Sequence, residues 1–378
     1  MNWNKGYSST FYAAFVDPIT WRDTERFNIT GGSISRSDSE LQESCDLDCI
    51  GYDQNRERWV RVWMDTRQDG AAGHHALFTG LATSPERDIK GTLAETPVEL
   101  YSVLKPAADI YLQRGYYAPV GVSGAELVKD LLSVTPAPIE ADPDSPELGT
   151  AIIAEDEETR LSMAKKVLDA INWRLEISGT GMVRICPKSQ TLSATFDSVE
   201  NDCLETEVTV SYDWFSCPNV FMAISEDISA IARDDSESSP FSTVNRGREV
   251  WQLESDADLA AGESIAEYSQ RKLTEAQSVS TILEYDRRFR PDVNIGNIIR
   301  IHYPQQKLDG YFEVTDQKVA IGAGGKTSEE VKGYTGIVFP APSESVGGPE
   351  PELDTLITDD DYDLATEGGI DLAIWPSE

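Results

Sequence analysis

The pattern of apolar and polar residues predicts that the first part of the chain is built from short β-strands. Apolar or alternating runs of strand length occur at Phe11–Val16, Cys45–Ile50, Trp59–Met64, Ala76–Thr83 and Val98–Leu104. Residues typical of turns separate these runs, at Gly31-Gly32, Tyr52–Asn55, Asp69-Gly70 with Gly73, and Ser84-Pro85. Strands at this spacing are typical of a small barrel or sandwich.

Helical signals begin in the middle of the chain. Ser123 and Glu126 form a Ser-x-x-Glu capping box, which predicts a helix through Leu131. Four prolines in Ser133–Thr150 predict an exposed, extended loop. The acidic run Glu155–Glu158 is expected in the first turn of the next helix, where the helix dipole favours negative charge.

That next helix is predicted to lead into a β-hairpin. Its apolar face recurs at helical spacing, at Leu161, Ala164, Leu168 and Ile171. The two strands of the hairpin are expected at Trp173–Ile177 and Met182–Ile185, with the turn at Ser178–Gly181. The middle of the chain therefore combines helices and strands.

A helix followed by an antiparallel meander is predicted in Gly262–Ile321. Ser264 and Glu267 form a second capping box, at the start of a helix over residues 264–277. The period then becomes alternating, so that Val279, Thr281, Leu283 and Tyr285 share one strand face. A second strand is expected at Ile298–Tyr303, and Asp309-Gly310 is expected to turn into a third strand that starts at Tyr311.

These segments resemble parts of phage-type tail hub proteins. In Gly262–Ile321 the resemblance rests on the Arg271-Lys272-Leu273 helix, the turn Arg290–Asn297, and the strands Ile298–Tyr303 and Gly310–Val314. The helix and hairpin that contain Ala170–Ile177 and Met182–Ile185 are similar to the small α/β domain inserted between the two barrels of tail hubs, and Val208–Val220 looks like the entry into the second barrel. Together these features cover roughly residues 150–321.

The resemblance implies a mainly β fold with an α+β insertion, in which two tail-tube-like β-barrels flank the inserted domain. The expected domains are a first β-barrel at 1–105, an α/β insertion region at 106–204, a second barrel at 205–341, and an acidic C-terminal extension at 342–378.

The function that the resemblance implies is structural. Tail hubs trimerise into a pseudo-hexameric ring that joins the tail tube to the tip or spike and lets DNA or the tape measure protein pass. The implied partners are two further copies of the chain, a tail tube or distal tail protein, a tip, spike or fibre protein, and the tape measure. The implied location is the virion, after synthesis in the host cytoplasm, and no enzymatic activity is implied.

Two other functions remain open at this stage. One is a cell-wall glycan hydrolase that uses paired carboxylates, since 66 Asp and Glu residues leave many candidate acid pairs. The other is a carbohydrate-binding tail component with a stacking platform formed by Trp59, Arg61 and Trp63 on one strand face. The alternative for that face is packing against a neighbouring domain or subunit.

The formal charge of −34 over 378 residues is the most unusual bulk property of the chain. Binding to a nucleic-acid backbone needs dense Lys and Arg, so this charge excludes general nucleic-acid binding. It fits an acidic soluble protein, or a tube lumen through which DNA slides without sticking.

The length predicts two to four domains. No apolar run is long enough for a membrane span, and Phe11–Val16 is expected to be a strand and not part of a signal peptide.

The candidate chemical groups do not form a recognisable site in the sequence. The five cysteines include Cys45 and Cys49 on one strand face, which are expected to be buried apolar residues and not half of a zinc site. His74 and His75 are placed in a glycine-rich loop, and His302 on a strand. The run Gly322–Thr327 lacks the spacing of a phosphate-binding loop and is expected to be a hairpin loop. We therefore assign no catalytic, cofactor-binding or metal-ligating residue, and expect no cofactor.

The last part of the chain differs in composition from the rest. From Ser343 to Glu378 it has eleven acidic residues and neither Lys nor Arg. Asp359–Asp363 lacks the glycine and glutamate positions of an EF-hand calcium loop. Because Leu356, Ile374 and Trp375 are too apolar for a simple spacer, we expect this tail to dock on a partner subunit by strand addition or groove burial.

Overall fold

The computed structural model shows a mainly β protein. It describes residues 2–3, 5–39, 41–50, 52, 56–83, 88–90, 93–188, 190–198, 204–225, 227–278, 281–322, 325–334, 338–339, 355–357 and 363–365. The chain divides into two compact units, Met1–Val338 and Phe339–Glu378. In the second unit, Thr355–Ile357 and Asp363–Ala365 form an antiparallel pair of short strands.

The first region contains eight strands around one apolar cluster. They are β1 (Ser8–Val16), β2 (Asp23–Phe27), β3 (Ile29–Ser37), β4 (Glu43–Ile50), β5 (Trp59–Gln68), β6 (Ala71–Ala82), β7 (Asp88–Lys90) and β8 (Leu93–Ser102). In β4, Cys45, Leu47 and Cys49 are buried in this cluster while Asp46 and Asp48 are exposed, so the predicted alternation is confirmed.

The middle region is a small α/β layer with its own core. Its elements are α1 (Lys105–Ala108), β9 (Tyr117–Ala118), α2 (Gly124–Leu132), β10 (Ile139–Ala141), β11 (Ile152–Ile153), α3 (Arg160–Ala170), β12 (Trp173–Ile177) and β13 (Val183–Pro187). The predicted helix start is confirmed, because the Ser123 side chain accepts a hydrogen bond from the Glu126 amide. The predicted hairpin is also confirmed, with β12 antiparallel to β13.

The remaining strands form the end of the large sheet and a separate three-stranded sheet. The elements are β14 (Leu192–Asp197), β15 (Leu204–Tyr212), β16 (Val220–Ser225), β17 (Ile228–Arg233), α4 (Thr243–Arg246), β18 (Trp251–Glu254), α5 (Ile265–Ser278), β19 (Thr281–Arg288), β20 (Ile298–Tyr303), a 3-10 turn (Pro304–Gln306), β21 (Leu308–Ile321) and β22 (Lys326–Gly333). The capping box of α5 is present in full, since Ser264 and Glu267 exchange side-chain to backbone hydrogen bonds.

One long strand connects the two halves of the large sheet. The pairing order is β15-β19-β22-β21-β3-β4-β8-β6-β5-β1-β2, with β20 also on β21, β14 on β20 and β7 on β8. The start of β21 pairs with β20, and its end pairs with β3. The N-terminal and C-terminal strand groups therefore share one hydrogen-bonded ladder. Among the described residues, no helix has the length and hydropathy needed to span a membrane.

Two predicted turns are wrong, and the turn at Asp69-Gly70 is confirmed but shorter than predicted, because the strands extend further than the local pattern indicated. Gly31-Gly32 lies inside β3, where a Cβ on Gly32 would be 2.1 Å from the Asp46 carbonyl oxygen, so the glycine permits close strand approach. His74 and His75 lie in β6 and not in a loop, because Asp69-Gly70 has positive φ at both residues and closes the hairpin in two residues. Asp309-Gly310 lies in β21, because the chain already reverses at Pro304–Gln306.

Two predictions in the middle region also need correction. Glu155–Glu158 precedes the first turn of α3, because Thr159 is the N-cap and accepts a hydrogen bond from the Ser162 amide. Ser133–Thr150 is not wholly exposed, because it contains β10, which runs parallel to β13, and its Thr135 side chain is buried and donates to the Val103 carbonyl oxygen. Some predictions fall on residues that the structure does not describe. These are the turn at Tyr52–Asn55 apart from Tyr52, the turn at Ser84-Pro85, Val279, and most of the acidic tail.

Candidate functional site

Four of the described strands of the large sheet pair with a single neighbour and so have one edge free. They are β15 on β19 and β2 on β1, at the two ends of the main pairing path, and β14 on β20 and β7 on β8 beside it. The strands β14 and β19 to β22 enclose a second apolar cluster, and Val208 and Val210 of β15 pack against it. The alternate positions of β15, Glu207 and Thr209, are exposed. Edges of this kind offer unpaired backbone groups to another chain.

The β2 edge is held in place by charged and aromatic contacts. Asp23 accepts hydrogen bonds from Arg61 Nη1 at 2.6 Å and from Trp63 Nε1 at 2.7 Å. Phe27 packs on Phe15 with a centroid distance of 4.9 Å. The short, charged edge strand is therefore fixed to the sheet that carries it.

A buried polar network fixes the joint between the two halves of the sheet. Arg287 and Glu329 form a fully buried ion pair, with Nε to Oε2 at 2.7 Å. Gln317 donates to Glu329 Oε1 at 2.7 Å and accepts from Arg36 Nη1 at 2.6 Å. Tyr285 donates its hydroxyl to Glu329 at 2.7 Å.

The electrostatics of this network favour one charge state. Burial raises the pKa of Glu329, but the charge of Arg287 and the hydrogen bonds from Arg287, Gln317 and Tyr285 together outweigh burial and hold the pKa below its ordinary value. Glu329 is therefore a carboxylate, and the network connects β3 to β19, β21 and β22 through charge-assisted hydrogen bonds. These contacts fix how the two strand groups are oriented.

A cavity of about 290 Å³ lies beside this joint and is lined by three parts of the chain. Arg36, Gln42 and Glu43 come from the first strand group, the β12–β13 hairpin supplies Leu175 and Met182, and the turn before β20 supplies Asn294 and Asn297. Burial raises the pKa of Glu43 to about 7, against the opposing charge of Arg36. The Arg36 Nε to Glu43 Oε2 distance is 3.6 Å.

An open acidic groove of about 670 Å³ runs over the face of the sheet near the β15 edge. Its acidic lining residues are Glu207, Glu284, Asp286, Asp316, Glu329 and Glu330. Lys326 donates to Asp286 at 2.8 Å, which lowers the pKa of Asp286. Because acids dominate the lining, the groove repels polyanions.

The predicted aromatic face of β5 is packed against other parts of the same chain. Trp63 stacks on His74 with a centroid distance of 4.1 Å. Arg61 is buried and donates to Thr79 Oγ1 at 3.0 Å and to the Thr180 carbonyl oxygen in the β12–β13 turn at 3.0 Å. The face was predicted to pack against a neighbouring domain or subunit, and its contact outside the β5–β6 hairpin is with the β12–β13 turn of the same chain.

The other candidate groups are placed separately from one another. Cys45 and Cys49 are buried free thiols, and burial raises the pKa of Cys49 to about 12. His302 is paired with Asp197 at 2.7 Å on neighbouring strands. Among the residues that the structure describes, no three His, Cys, Asp or Glu side chains are grouped to hold a metal ion. Asp359–Tyr362 and the centre of the Gly322–Thr327 loop lie outside the described residues.

Sequence reasoning missed the Arg287–Glu329 network, although a signal for it is present. Leu283, Tyr285 and Arg287 occupy alternate positions of β19, so the strand period places a charge on the buried face. Glu329 occupies the same kind of inward position in β22. A charge at an inward position on each of two paired strands indicates a buried ion pair.

Comparison with solved structures shows that the fold is similar to that of several phage tail proteins. The 43 kDa tail protein of prophage MuSo2 from Shewanella oneidensis matches with a TM-score of 0.61 and 13% identity, covering 86% of this chain and 98% of that chain. A tail protein from Neisseria meningitidis MC58 matches with a TM-score of 0.59 and 13% identity, covering 85% and 96%. Prophage tail protein gp18 from Listeria monocytogenes EGD-e matches with a TM-score of 0.54 and 11% identity, covering 85% and 94%.

The chain therefore has the fold of phage tail proteins over most of its length. The resemblance to tail hubs seen in the sequence is confirmed at the level of the fold. Neither the models of protein families nor the curated proteins include a match to the chain.

Proposed function

We propose that this protein is the structural hub of a phage tail baseplate or tail tip. The observation that carries the proposal is the similarity in fold to prophage tail proteins, which extends over most of both chains. The proposal is an analogy from fold, and the fold is shared over 86% of this chain and 98% of the Shewanella protein.

In this proposal, three copies form a pseudo-hexameric ring. Each copy contributes two tail-tube-like barrels, at 1–105 and 205–341, with the α/β insertion at 106–204 between them. The free edges of β2 and β15 support this arrangement, because they lie at opposite ends of one pairing path. A head-to-tail contact between unlike edges generates a closed ring when the rotation closes.

The ring would join the tail tube, or a distal tail protein, to the tip, spike or fibre. The acidic groove and the net charge of −34 support a lumen that DNA or the tape measure protein crosses without specific binding. The protein would be made in the host cytoplasm, act within the virion, and have no catalytic role. The acidic extension at 342–378 would dock on a partner subunit.

Light scattering of the purified protein, with and without residues 346–378, tests the proposal. A mass three times 41.7 kDa, together with ring-shaped particles in electron microscopy, is the expected result for the full chain. A single-chain mass that persists after mixing with purified tail tube protein would contradict the ring. Loss of a tail contact on deletion of 346–378 is expected if the extension docks on a partner, and unchanged assembly would contradict that part.

A further inference from the structure

Two buried oxygen acceptors in the cavity beside the joint have no donor. Gln42 and Glu43 line this cavity, and they are only 8% and 5% exposed. The Oε1 atom of each lacks a hydrogen-bond partner among the residues that the structure describes. Buried acceptors are normally paired, because an unpaired acceptor keeps the cost of its lost hydration. The cavity therefore offers two hydrogen-bond positions to a ligand.

Arg36 does not satisfy the Glu43 carboxyl group, although the two residues lie opposite each other on β3 and β4. Its Nη1 donates to Gln317 Oε1 at 2.6 Å, and its Nη2 donates to the Leu77 carbonyl oxygen. Its Nε is 3.6 Å from Glu43 Oε2, which is too far for a hydrogen bond. Glu43 therefore has no hydrogen-bonded cation.

The backbone of Gln42 has a conformation that residues other than glycine rarely adopt. Its φ is 61°, in the left-handed region. The turn between β3 and β4 holds it there, because the Ser37 amide donates to the Gln42 carbonyl oxygen at 2.8 Å and the Gln42 amide donates to the Ser39 carbonyl oxygen at 3.2 Å. Residues held in this region cluster at ligand sites, where the surrounding structure fixes the side chain.

The apolar part of the lining favours a ligand with a short hydrocarbon body. It is formed by side chains from the β12–β13 hairpin and from the turn before β20, namely Leu175, Ile177, Met182 and Ile295. The volume of about 290 Å³ is close to the lower limit of the roughly 300–1,000 Å³ of small-molecule pockets. The ligand is therefore small, with donors at one end and methylene groups at the other.

The charges around the cavity favour a cationic donor. The charged residues that share the lining with Glu43 are Arg36, Glu176 and Arg184. Arg184 donates to Asp142 through Nε and Nη2, both at 2.8 Å, and Glu176 accepts from Arg174. Glu43 is thus the carboxyl group of the lining without a hydrogen-bonded cation. The net charge of −34 also raises the concentration of cations near the protein.

We propose that this cavity binds a primary ammonium group that carries a short alkyl chain. An ammonium has three N–H donors, so it can donate to Gln42 Oε1 and to Glu43 Oε1 at the same time. The alkyl chain would pack on the apolar part of the lining. A free alkylamine and a lysine side chain of another protein share this chemistry. The site does not depend on the proposed ring.

Ligand-observed NMR titration of the full chain with n-butylammonium tests the proposal. We expect saturable binding, and binding at least about tenfold weaker for 1-butanol, which lacks the charge, and for tetramethylammonium, which lacks N–H donors. Nα-acetyl-lysine N-methylamide separates the two sources of the group. Binding as tight as that of n-butylammonium would assign a lysine side chain as the occupant, and weaker binding would assign a free alkylamine.

Two variants locate the site. Glu43→Gln removes the charge, and Gln42→Gly removes the amide while placing glycine at a positive φ, where it relieves strain. The matched controls are Glu237→Gln and Asp256→Gly, both at exposed positions, and Asp256 also has a φ of 61°. Near-ultraviolet circular dichroism verifies that each variant is folded. Both cavity variants should bind n-butylammonium at least about tenfold more weakly than the wild type, and both controls should bind as the wild type does.

Three results would overturn the proposal. Absence of saturable binding to the wild type would mean that the cavity holds only water. Equal binding of 1-butanol would show an apolar pocket that does not recognise an ammonium group. Unchanged affinity in both cavity variants would place the bound amine elsewhere on the chain.

Discussion

The stability of the joint between the two strand groups depends on a few buried charged residues. Arg287 and Glu329 both have side-chain exposures of 0%. Such a pair is costly to bury, but it is much more costly to break, because the remaining charge has no compensating partner. Substitution of one member of this buried pair should therefore lower the free energy of unfolding strongly, whereas substitution in an exposed ion pair should lower it only slightly.

Replacement of Arg287 by Met should destabilise the protein by about 3–5 kcal/mol, because it leaves the Glu329 carboxylate buried without its cation. Arg300→Met is the matched control, since Arg300 pairs with Asp309 at 2.8 Å on the surface. The control should cost less than about 1 kcal/mol. Urea unfolding followed by tryptophan fluorescence measures both values, and equal losses would contradict a special role for the buried pair.

Glu43 should make stability depend on pH. Its pKa in the folded chain is raised by burial to about 7, above its ordinary value of 4.5. The folded chain therefore holds this proton more tightly, and the stability that the group contributes is present below pH 4.5 and is lost as the pH rises through about 7. From about pH 5 to about pH 8, the wild type should lose roughly 2 kcal/mol more unfolding free energy than Glu43→Gln.

Denaturant titrations of the wild type and Glu43→Gln at both pH values test this expectation. Burial also raises the pKa of Asp258 to about 6, which gives a pH dependence of the same sign. Because Asp258 is present in both chains, its effect cancels in the difference between them. An unfolding difference that is independent of pH would show that Glu43 keeps an ordinary pKa in the folded protein.

Among the secondary structure elements, α5 has a capping box whose contribution to the free energy of unfolding can be measured. The Ser264 hydroxyl accepts from the Glu267 amide at 3.3 Å, and the Glu267 carboxylate accepts from the Ser264 amide at 2.9 Å. Ser264→Ala should therefore destabilise the chain by about 1 kcal/mol. Thr274→Ala, at an exposed position of the same helix, should be neutral or slightly stabilising. The urea midpoints of the two variants measure this difference. If Ser264→Ala destabilised the chain no more than Thr274→Ala, Ser264 would not have the capping role.

Elements with a local signal were predictable from sequence, while those set by distant partners were not. The start of α5 follows from Ser264 and Glu267 because capping acts within one turn. The pairing of β3 with β21, in which Ser37 lies opposite Asp316, depends on residues far apart in the chain and has no local signature.

The chain as a whole is dominated by its net charge, which predicts how its assembly responds to salt. Copies of a −34 chain repel one another, and this repulsion has a range of about 30 Å at 0.01 M salt but only about 8 Å at 0.15 M. If copies associate through backbone contacts at strand edges, as we propose, added NaCl should strengthen self-association, and sedimentation velocity over a salt series measures the change. Replacement of Glu207 and Glu284 in the acidic groove by Gln should flatten this dependence, while Ile19→Asp should not. Association that weakens as salt is added would mean that ion pairs hold the copies together, and would contradict association through backbone contacts at strand edges.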